Sequence, residues 1–278
     1  MSALATLVDL LRDRTIVALT GAGCSTESGI PDYRSPGRPP RARPPIQHRE
    51  FLEHEVVRRR YWARALLGWP RFSAAQPNAA HRALAALEER GAVAAVITQN
   101  VDGLHQRAGS RAVVELHGAL GRVRCLSCEA LTDRDELQRR LADVNAAFLR
   151  SAEEVRLAPD GDAELPDELV AAFTPVPCTC GGALMPDVVF FGGSVARPTL
   201  DAAWAAFDRA QVLLVLGSSL TVFSGYRFVY RAAERAIPVA IINRGPTRGD
   251  PHAAICVDEL VGAALPALEQ ALRSRSTE

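Results

Sequence analysis

The chain of 278 residues contains no lysine, and all 32 of its basic residues are arginine. We attribute this to codon usage in a GC-rich genome rather than to function. The 32 acidic residues balance the arginines, so no overall field would gather nucleic acid or an anionic membrane. With 48% hydrophobic and 23% charged residues, the composition excludes disorder as the main state and predicts a globular chain with a substantial core.

Long apolar runs are also missing from the sequence. No segment approaches the roughly 18 to 20 apolar residues that span a bilayer. The N-terminal segment MSALATLVDLLRDRT has apolar residues at helical spacing but lacks the composition of a secretion or transit signal. We therefore predict a first helix in this segment, and we expect a cytoplasmic, monomeric protein without membrane or nucleic-acid partners.

Short apolar runs rich in Val and Ile recur along the chain, at residues 15–20, 92–98, 212–217 and 238–243. Because their hydrophobicity is continuous rather than alternating, they predict strands that are covered on both faces. Helical patterns alternate with them, at 79–90 behind a cap at Asn78, at 199–210, at 225–236 and at the C-terminus. This alternation predicts an α/β fold with a doubly wound parallel sheet of the Rossmann type.

Two stretches interrupt the alternation. Residues 36–50 contain five prolines and predict a surface loop, which is either a linker or a cover over a ligand. Residues 121–185 run from one cysteine pair to another and predict a small inserted module. The predicted parts are a Rossmann-like nucleotide-binding part at 1–35, 76–120 and 186–278, a loop and helical segment at 36–75, and the inserted module at 121–185.

A glycine-rich turn, GAGCSTESG, follows the first predicted strand. Gly21 and Gly23 leave the backbone free to approach a diphosphate, and Ser25 to Glu27 can open a helix whose N-terminus attracts anions. The third glycine comes too late for the GxGxxG spacing, so this turn alone is a weak signal and is more typical of an ordinary tight turn. Two further strands end in Ser218 and in Asn243, and three polar strand ends at one edge of a sheet favour a nucleotide site.

Further polar residues follow the other predicted strands. Gln99, Asn100 and Asp102 suit hydrogen bonding to a carboxamide and a ribose, although a capped turn would use the same residue types. His117 lies beside Gly118 at the end of a further predicted strand. A histidine that titrates near neutral pH is the usual general base for a hydroxyl, although a lone histidine is more often structural.

Four of the six cysteines form two close pairs, Cys125 with Cys128 and Cys178 with Cys180. In a chain without a secretion signal this spacing favours a metal over disulfides. Four thiolates on short turns suit tetrahedral Zn²⁺, and four protein ligands leave no open coordination position. We therefore predict one structural zinc site.

Taken together, these segments resemble the sirtuins, the NAD-dependent protein-lysine deacylases. The resemblance covers nearly the whole chain, because the family's motifs occur in the family's order as GAGCSTESGIPDYRS, TQNVDGLHQRAGS, ELHG, CLSC, CTCGG, MPDVVFFGG, LVLGSSLTVFSGYRF and AIINRGPTRGD. The tyrosine of IPDYRS and segments such as RPPIQH and GPTRGD look like the class II branch, which includes the mitochondrial lipoamidase sirtuin of animals.

The resemblance implies NAD⁺ as co-substrate, one structural Zn²⁺ and acylated-lysine proteins as substrates. The acyl oxygen would attack the ribose as nicotinamide leaves, and His117 would act as general base, giving free lysine and 2′-O-acyl-ADP-ribose. Asn100 and Asp102 would join His117 in catalysis. The implied cofactor contacts are Gly21, Ala22, Gly23, Ser25, Thr26, Asp32, Tyr33, Arg34, Gln99, Asn100, Val101, Asp102, Gly217, Ser218, Ser219, Asn243, Arg244, Gly245 and Val261. The implied contacts to a peptide that adds as a strand are Val189, Phe190, Phe191, Gly192, Val222 and Phe223.

The sequence departs from the family pattern at Gly193, where an acidic residue is usual, and in the CxC pair and the long module. Alternatives are a mono-ADP-ribosyltransferase on the same scaffold, a deacylase of lipoyl, long or anionic acyl groups, and a non-catalytic NAD sensor. A dehydrogenase is disfavoured because the GxGxxG spacing is missing. In residues 51–72, one arginine among 58, 59, 60 and 64 could hold an anionic acyl tail, or all four could be surface residues.

Overall fold

The computed structural model describes residues 3–32, 45–152 and 165–274. These residues form two compact units, and the helices and strands are numbered in chain order across both. Of the described residues, the first unit takes in 3–32, 76–117 and 195–274, and the second takes in 45–75, 118–152 and 165–194. Within the described ranges, no helix combines the length and the apolar character that crossing a membrane requires.

A six-stranded parallel sheet forms the centre of the first unit, in the order β3-β2-β1-β7-β8-β9. Its strands are β1 (Ile16–Thr20), β2 (Val93–Thr98), β3 (Val113–Glu115), β7 (Val212–Leu216), β8 (Val239–Ile242) and β9 (Ile255–Val257). All residues of β1, β7 and β8 are buried, which explains their continuous hydrophobicity. The chain moves outward from β1 to β3 and then returns to place β7 beside β1. The predicted doubly wound parallel sheet is therefore confirmed, with its switch point between β1 and β7.

Helices cover both faces of this sheet. They are α1 (Ala3–Leu11), α4 (Ala79–Glu89), α5 (Leu104–Arg107), α9 (Arg197–Phe207), α10 (Phe223–Glu234) and α11 (Val261–Ser274). One core cluster contains Leu84 of α4 and Leu265 of α11, and the other contains Phe207 of α9 and Phe228 of α10. The helices α4, α9, α10 and α11 thus bury apolar residues against the strands.

The helices α9 and α10 both begin two residues before their predicted starts. Pro198 lies in the first turn of α9, where a proline costs no hydrogen bond and fixes the helical φ. At the other end of α10, Ala236 adopts a positive φ of 54°, which reverses the chain before β8. Local backbone geometry, rather than the apolar pattern, therefore sets these boundaries.

The turn after β1 differs from the predicted helix opening. Ala22–Cys24 and Thr26–Ser28 form two separate 3₁₀ turns of three residues each. Gly29 follows with a φ of 81°, a conformation that side-chain-bearing residues rarely adopt. The described part of this segment therefore offers no α-helical N-terminus for an anion.

The second unit is built on a three-stranded antiparallel sheet in the order β5-β4-β6. Its elements are α2 (His48–Glu53), α3 (Glu55–Ser73), β4 (Gly118–Cys125), β5 (Leu131–Asp133), α6 (Arg134–Val144), α7 (Ala146–Ala152), α8 (Asp167–Ala172) and β6 (Leu184–Val188). The Trp62 indole of α3 donates to the Leu184 carbonyl at 3.0 Å. The buried Arg134 guanidinium lies 5.5 Å from the Trp62 ring and 4.9 Å from the Trp69 ring. The aromatic residues of α3 therefore pack inside this unit.

Two buried histidines, His81 and His105, lie side by side in the first unit with ring centroids 4.8 Å apart. His81 Nδ1 is 2.9 Å from the side-chain oxygen of Asn78, and His105 Nε2 is 2.9 Å from the hydroxyl of Thr20 at the end of β1. Burial lowers the pKa of His81 to about 4 and that of His105 to about 3. Both rings are therefore neutral in the folded chain at neutral pH.

We predict that acid destabilises the fold through these two histidines. In the unfolded chain both histidines regain a pKa near 6.5, so the unfolded state binds protons as the pH falls below that value. The folded state does not bind them until about pH 4 at His81 and about pH 3 at His105. The free energy of unfolding should fall between pH 6.5 and 4, by up to about 1.4 kcal/mol per pH unit for each histidine.

Urea unfolding at several pH values would measure this slope. His105→Gln should lower the slope by about the contribution of one histidine, whereas His54→Gln, at an exposed position, should leave it unchanged. A slope that is the same in wild type and His105→Gln would contradict the assignment.

Candidate functional site

The loops after β1 and β7 contact each other at the carboxyl edge of the parallel sheet. Gly21 N donates to the Leu216 carbonyl at 3.0 Å, and Gly23 N donates to the Gly217 carbonyl at 2.8 Å. A Cβ atom added at Gly21 would lie 2.7 Å from Ser218 Cβ, and one added at Gly23 would lie 2.9 Å from Gly217 Cα. Contact between the two loops therefore requires glycine at both positions.

A chain of hydrogen bonds joins the β1 loop to the loop after β2. The Asn100 side-chain amide donates to the Gly21 carbonyl and to Ser25 Oγ, both at 3.0 Å. Ser25 Oγ donates to Asp102 Oδ2 at 2.7 Å, and Asp102 Oδ1 accepts from Leu104 N at 2.9 Å. Burial raises the pKa of Asp102, while the hydrogen bonds from Leu104 and Ser25 oppose that shift. The structure thus brings together Ser25, Asn100 and Asp102, as the sequence predicted.

His117 follows β3 and has a partner at each ring nitrogen. Nδ1 lies 2.9 Å from the Gln99 carbonyl oxygen, and Nε2 lies 2.7 Å from Ser224 Oγ at the start of α10. Because a carbonyl can only accept, Nδ1 carries the proton and Nε2 accepts from the serine hydroxyl. Burial lowers the pKa of His117, against the effect of the Gln99 hydrogen bond. At neutral pH the ring therefore presents an unprotonated Nε2.

Gln99 is held between two elements of the first unit. Its side-chain amide donates to Ser218 Oγ at 2.9 Å. A Cβ atom added at Gly225 would lie 2.4 Å from Gln99 Oε1, so the side chain rests directly on α10. Gln99 therefore positions the β7 loop and, through its carbonyl, His117.

The other predicted cofactor residues lie on these loops or on the loop after β8, with one exception in the described ranges. Those in the described ranges that flank the residues above are Ala22, Thr26, Asp32, Val101 and Ser219, and those that follow β8 are Asn243, Arg244 and Gly245. The Asn243 amide donates to the Gly245 carbonyl at 2.9 Å, which closes its turn. Val261 is only 2% exposed, and its side chain belongs to the core. Tyr33 and Arg34 lie outside the described residues.

Sequence reasoning missed the structural roles of Asn78 and Glu27. The buried Asn78 amide donates to the Cys24 carbonyl at 2.8 Å, which ties α4 to the glycine-rich loop. A Cβ atom added at Gly262 would lie 1.9 Å from Glu27 Oε2, so this carboxylate lies against the first turn of α11. The capping motif before α4 reveals Asn78 as a cap, but no sequence signal links it to a residue 54 positions away.

Four cysteine sulfurs cluster in the second unit. Cys125 Sγ is 3.5 Å from Cys180 Sγ, Cys128 Sγ is 3.8 Å from Cys178 Sγ, and all four lie within 4.8 Å of one another. Tetrahedral Zn–S bonds of about 2.3 Å would place sulfurs roughly 3.8 Å apart. A Cβ atom added at Gly182 would lie 2.6 Å from Cys125 Sγ, so glycine is needed beside the cluster. These residues therefore fit one closed, structural zinc ion.

Four predicted peptide contacts follow β6 in the second unit, at Val189, Phe190, Phe191 and Gly192. The Phe190 ring stacks on Phe51 with centroids 4.9 Å apart, and the Phe191 carbonyl accepts from His48 N at 2.8 Å. Part of this backbone is therefore already paired within the unit. Gly193 N donates to the Phe190 carbonyl at 2.9 Å, and an added Cβ would lie 3.0 Å from that oxygen. Glycine here suits a tight turn.

The four arginines considered for an acyl pocket all have partners. Arg58 donates to two carbonyls at the end of α2, and Arg59 and Arg60 each form an ion pair with a carboxylate of the second unit. Arg64 is not free either. The structure therefore favours the reading in which these arginines support the fold.

Comparison with known proteins agrees with this architecture. A model described as "Sir2 family" matches residues 21–224. The chain is 52% identical over 273 residues to "NAD-dependent protein deacetylase 1" of Streptomyces coelicolor. The alignment covers 98% of this chain and 91% of the relative. It is 48% identical over 260 residues to the human "NAD-dependent protein lipoamidase sirtuin-4, mitochondrial". That alignment covers 92% of this chain and 82% of the relative.

A solved structure described as "Sir2-p53 peptide-NAD+" aligns with 100% of both chains, at 30% identity and a TM-score of 0.76. The predicted resemblance, including the likeness to the lipoamidase branch, is confirmed. The chain therefore belongs to the Sir2 family, the sirtuins.

Proposed function

We propose that this chain is an NAD⁺-dependent protein-lysine deacylase. The observation that carries the proposal is the state of His117, whose Nδ1 proton is held by a carbonyl and whose Nε2 is basic. Such a nitrogen is suited to take a proton from a hydroxyl. Support comes from the relatives, which are named NAD-dependent protein deacetylase and lipoamidase, and from a family structure described with a peptide and NAD+.

Residues of the first unit would bind the cofactor and accept the proton. When bound, NAD⁺ supplies a ribose carbon that becomes electrophilic as nicotinamide leaves. Asn100 and Asp102 would hold the nicotinamide side of the cofactor, since Ser25 fixes the orientation of both. His117 Nε2 would accept a proton from a ribose hydroxyl, which replaces Ser224 as its partner. The Gln99 carbonyl then stabilises the imidazolium that forms.

The acyl group is the finer part of the proposal. We propose that uncharged acyl groups such as acetyl and lipoyl are preferred over anionic ones, because the arginines of α3 are engaged elsewhere. The names deacetylase and lipoamidase among the relatives fit both uncharged groups. Cytoplasmic location and a monomeric state stay predictions, and one relative's name places that protein in mitochondria.

The function can be tested with acetyl-lysine, lipoyl-lysine and glutaryl-lysine peptides of one sequence together with NAD⁺. We expect one free lysine and one O-acyl-ADP-ribose for each NAD⁺ consumed, with turnover of an uncharged acyl group above that of the glutaryl group. Mass spectrometry of all products is the measurement. ADP-ribosylated protein as the sole product would instead support the transferase alternative.

We predict that His117→Ala lowers deacylation by about 10² to 10⁴ while NAD⁺ still binds, because the base acts after the cofactor is in place. Steady-state turnover and calorimetric titration with NAD⁺ would separate the two effects. His54→Ala, at an exposed position of the second unit, serves as the control. Near-normal turnover by His117→Ala would refute the assigned base.

We predict one tightly bound Zn²⁺ per chain. Cys178→Ser should lose the metal and destabilise the second unit, because a closed four-cysteine site contributes to folding. Cys256→Ser removes an exposed cysteine outside the cluster and should keep the metal. Elemental analysis together with thermal unfolding would measure both effects, and a metal-free wild type that is folded and active would rule out a structural zinc.

A further inference from the structure

A groove of about 270 Å³ lies on the surface of the first unit, between α9 and α10. It is lined by aromatic and charged side chains, namely Trp204, Phe223, Arg227, Tyr230, Arg231 and Glu234. Phe223 is 57% exposed and Tyr230 is 51% exposed. A cluster of large exposed rings beside cations is a feature of surfaces that bind a partner.

Arg227 is the cation of this groove for which the described residues supply no acidic partner. Its guanidinium lies 5.2 Å from the centroid of the Phe223 ring, and its Nε atom is buried without a hydrogen-bond partner. It forms no ion pair with any residue in the described part of the chain. Arg231 differs, because it pairs with Glu234 at 3.2 Å while lying 5.9 Å from the Trp204 ring. One guanidinium is therefore available to a carboxylate, which it can hold by two hydrogen bonds.

The groove starts beside the candidate base. Ser224 directly follows Phe223 and donates to His117 Nε2. Besides burial, the Arg227 charge lowers the pKa of His117, so this guanidinium is within electrostatic reach of the base. Arg227 and Arg231 come three and seven residues after Ser224, which is about 4.5 and 10.5 Å along the helix axis. An extended peptide advances about 3.3 Å per residue, so two to four residues would cover this distance.

We propose that this groove binds an acidic side chain of the acylated protein substrate, two to four residues from the acyl-lysine. Arg227 holds the carboxylate, and the Phe223 and Trp204 rings pack against the neighbouring part of the peptide. The enzyme would thus select acyl-lysines in acidic surroundings. This inference rests on the proposed deacylase function.

The test compares peptides that differ only by Glu or Gln at one position, placed two, three or four residues before or after the acetyl-lysine. In wild type, Glu at one or more of these positions should raise kcat/KM by about three- to tenfold over Gln, mainly through KM. The preference should shrink in high salt, because the contact is partly exposed.

Three variants make the test specific. Arg227→Gln should reduce the Glu/Gln ratio to about one, and Arg227→Lys should keep part of it because the charge remains. Arg235→Gln is the matched control, since Arg235 ends the same helix, pairs with Asp208 and does not line the groove. Using the ratio within each variant removes any effect of Arg227 on His117 itself.

A wild type without any Glu preference, or a preference that survives Arg227→Gln, would overturn this inference. Failure of wild type to deacylate all the peptides, including the Gln series, would instead overturn the proposed function. The two failures are therefore distinguishable.

Discussion

Close contact between the loops after β1 and β7 is the constraint on which the rest of the site depends. Gly217 adopts a φ of 59°, and an added Cβ would lie 2.4 Å from Cys24 N. No side chain fits between the loops. Because they touch, the Gly21 carbonyl can reach Asn100 and the Ser218 hydroxyl can reach Gln99. The contact thus fixes the residues that follow β2.

Burial and backbone hydrogen bonds set the chemistry of the site. The same loop after β2 orients Asp102 through its own backbone and orients His117 through the Gln99 carbonyl. Desolvation keeps His117 neutral and raises the pKa of Asp102. The loop after β2 therefore places a neutral imidazole and a buried carboxyl group at one edge of the sheet, each with fixed hydrogen-bond partners.

The arginines of this lysine-free chain have two different uses. Those of α3 bind carbonyls and carboxylates of the second unit, and Arg134 lies between two tryptophan rings. These contacts explain the aromatic and basic composition of residues 51–72 without an acyl ligand. Arg227 on α10 differs because its guanidinium has an aromatic neighbour but no acidic partner in the part of the chain that the structure describes. Recognition of substrate charge therefore fits α10 better than α3.

The sequence by itself determined the parallel sheet, the four-cysteine cluster and the family, and it singled out His117 as the candidate base. Continuous apolar runs, close cysteine pairs and ordered motifs are local signals, and each follows from the spacing of neighbouring residues. Only the tertiary structure decided the tautomer of His117, because Nδ1 meets the Gln99 carbonyl 18 positions away and Nε2 meets Ser224 107 positions away. It also decided that Val261 is buried and that Gly21 is required by another loop. Such roles depend on packing between distant segments, which no local pattern encodes.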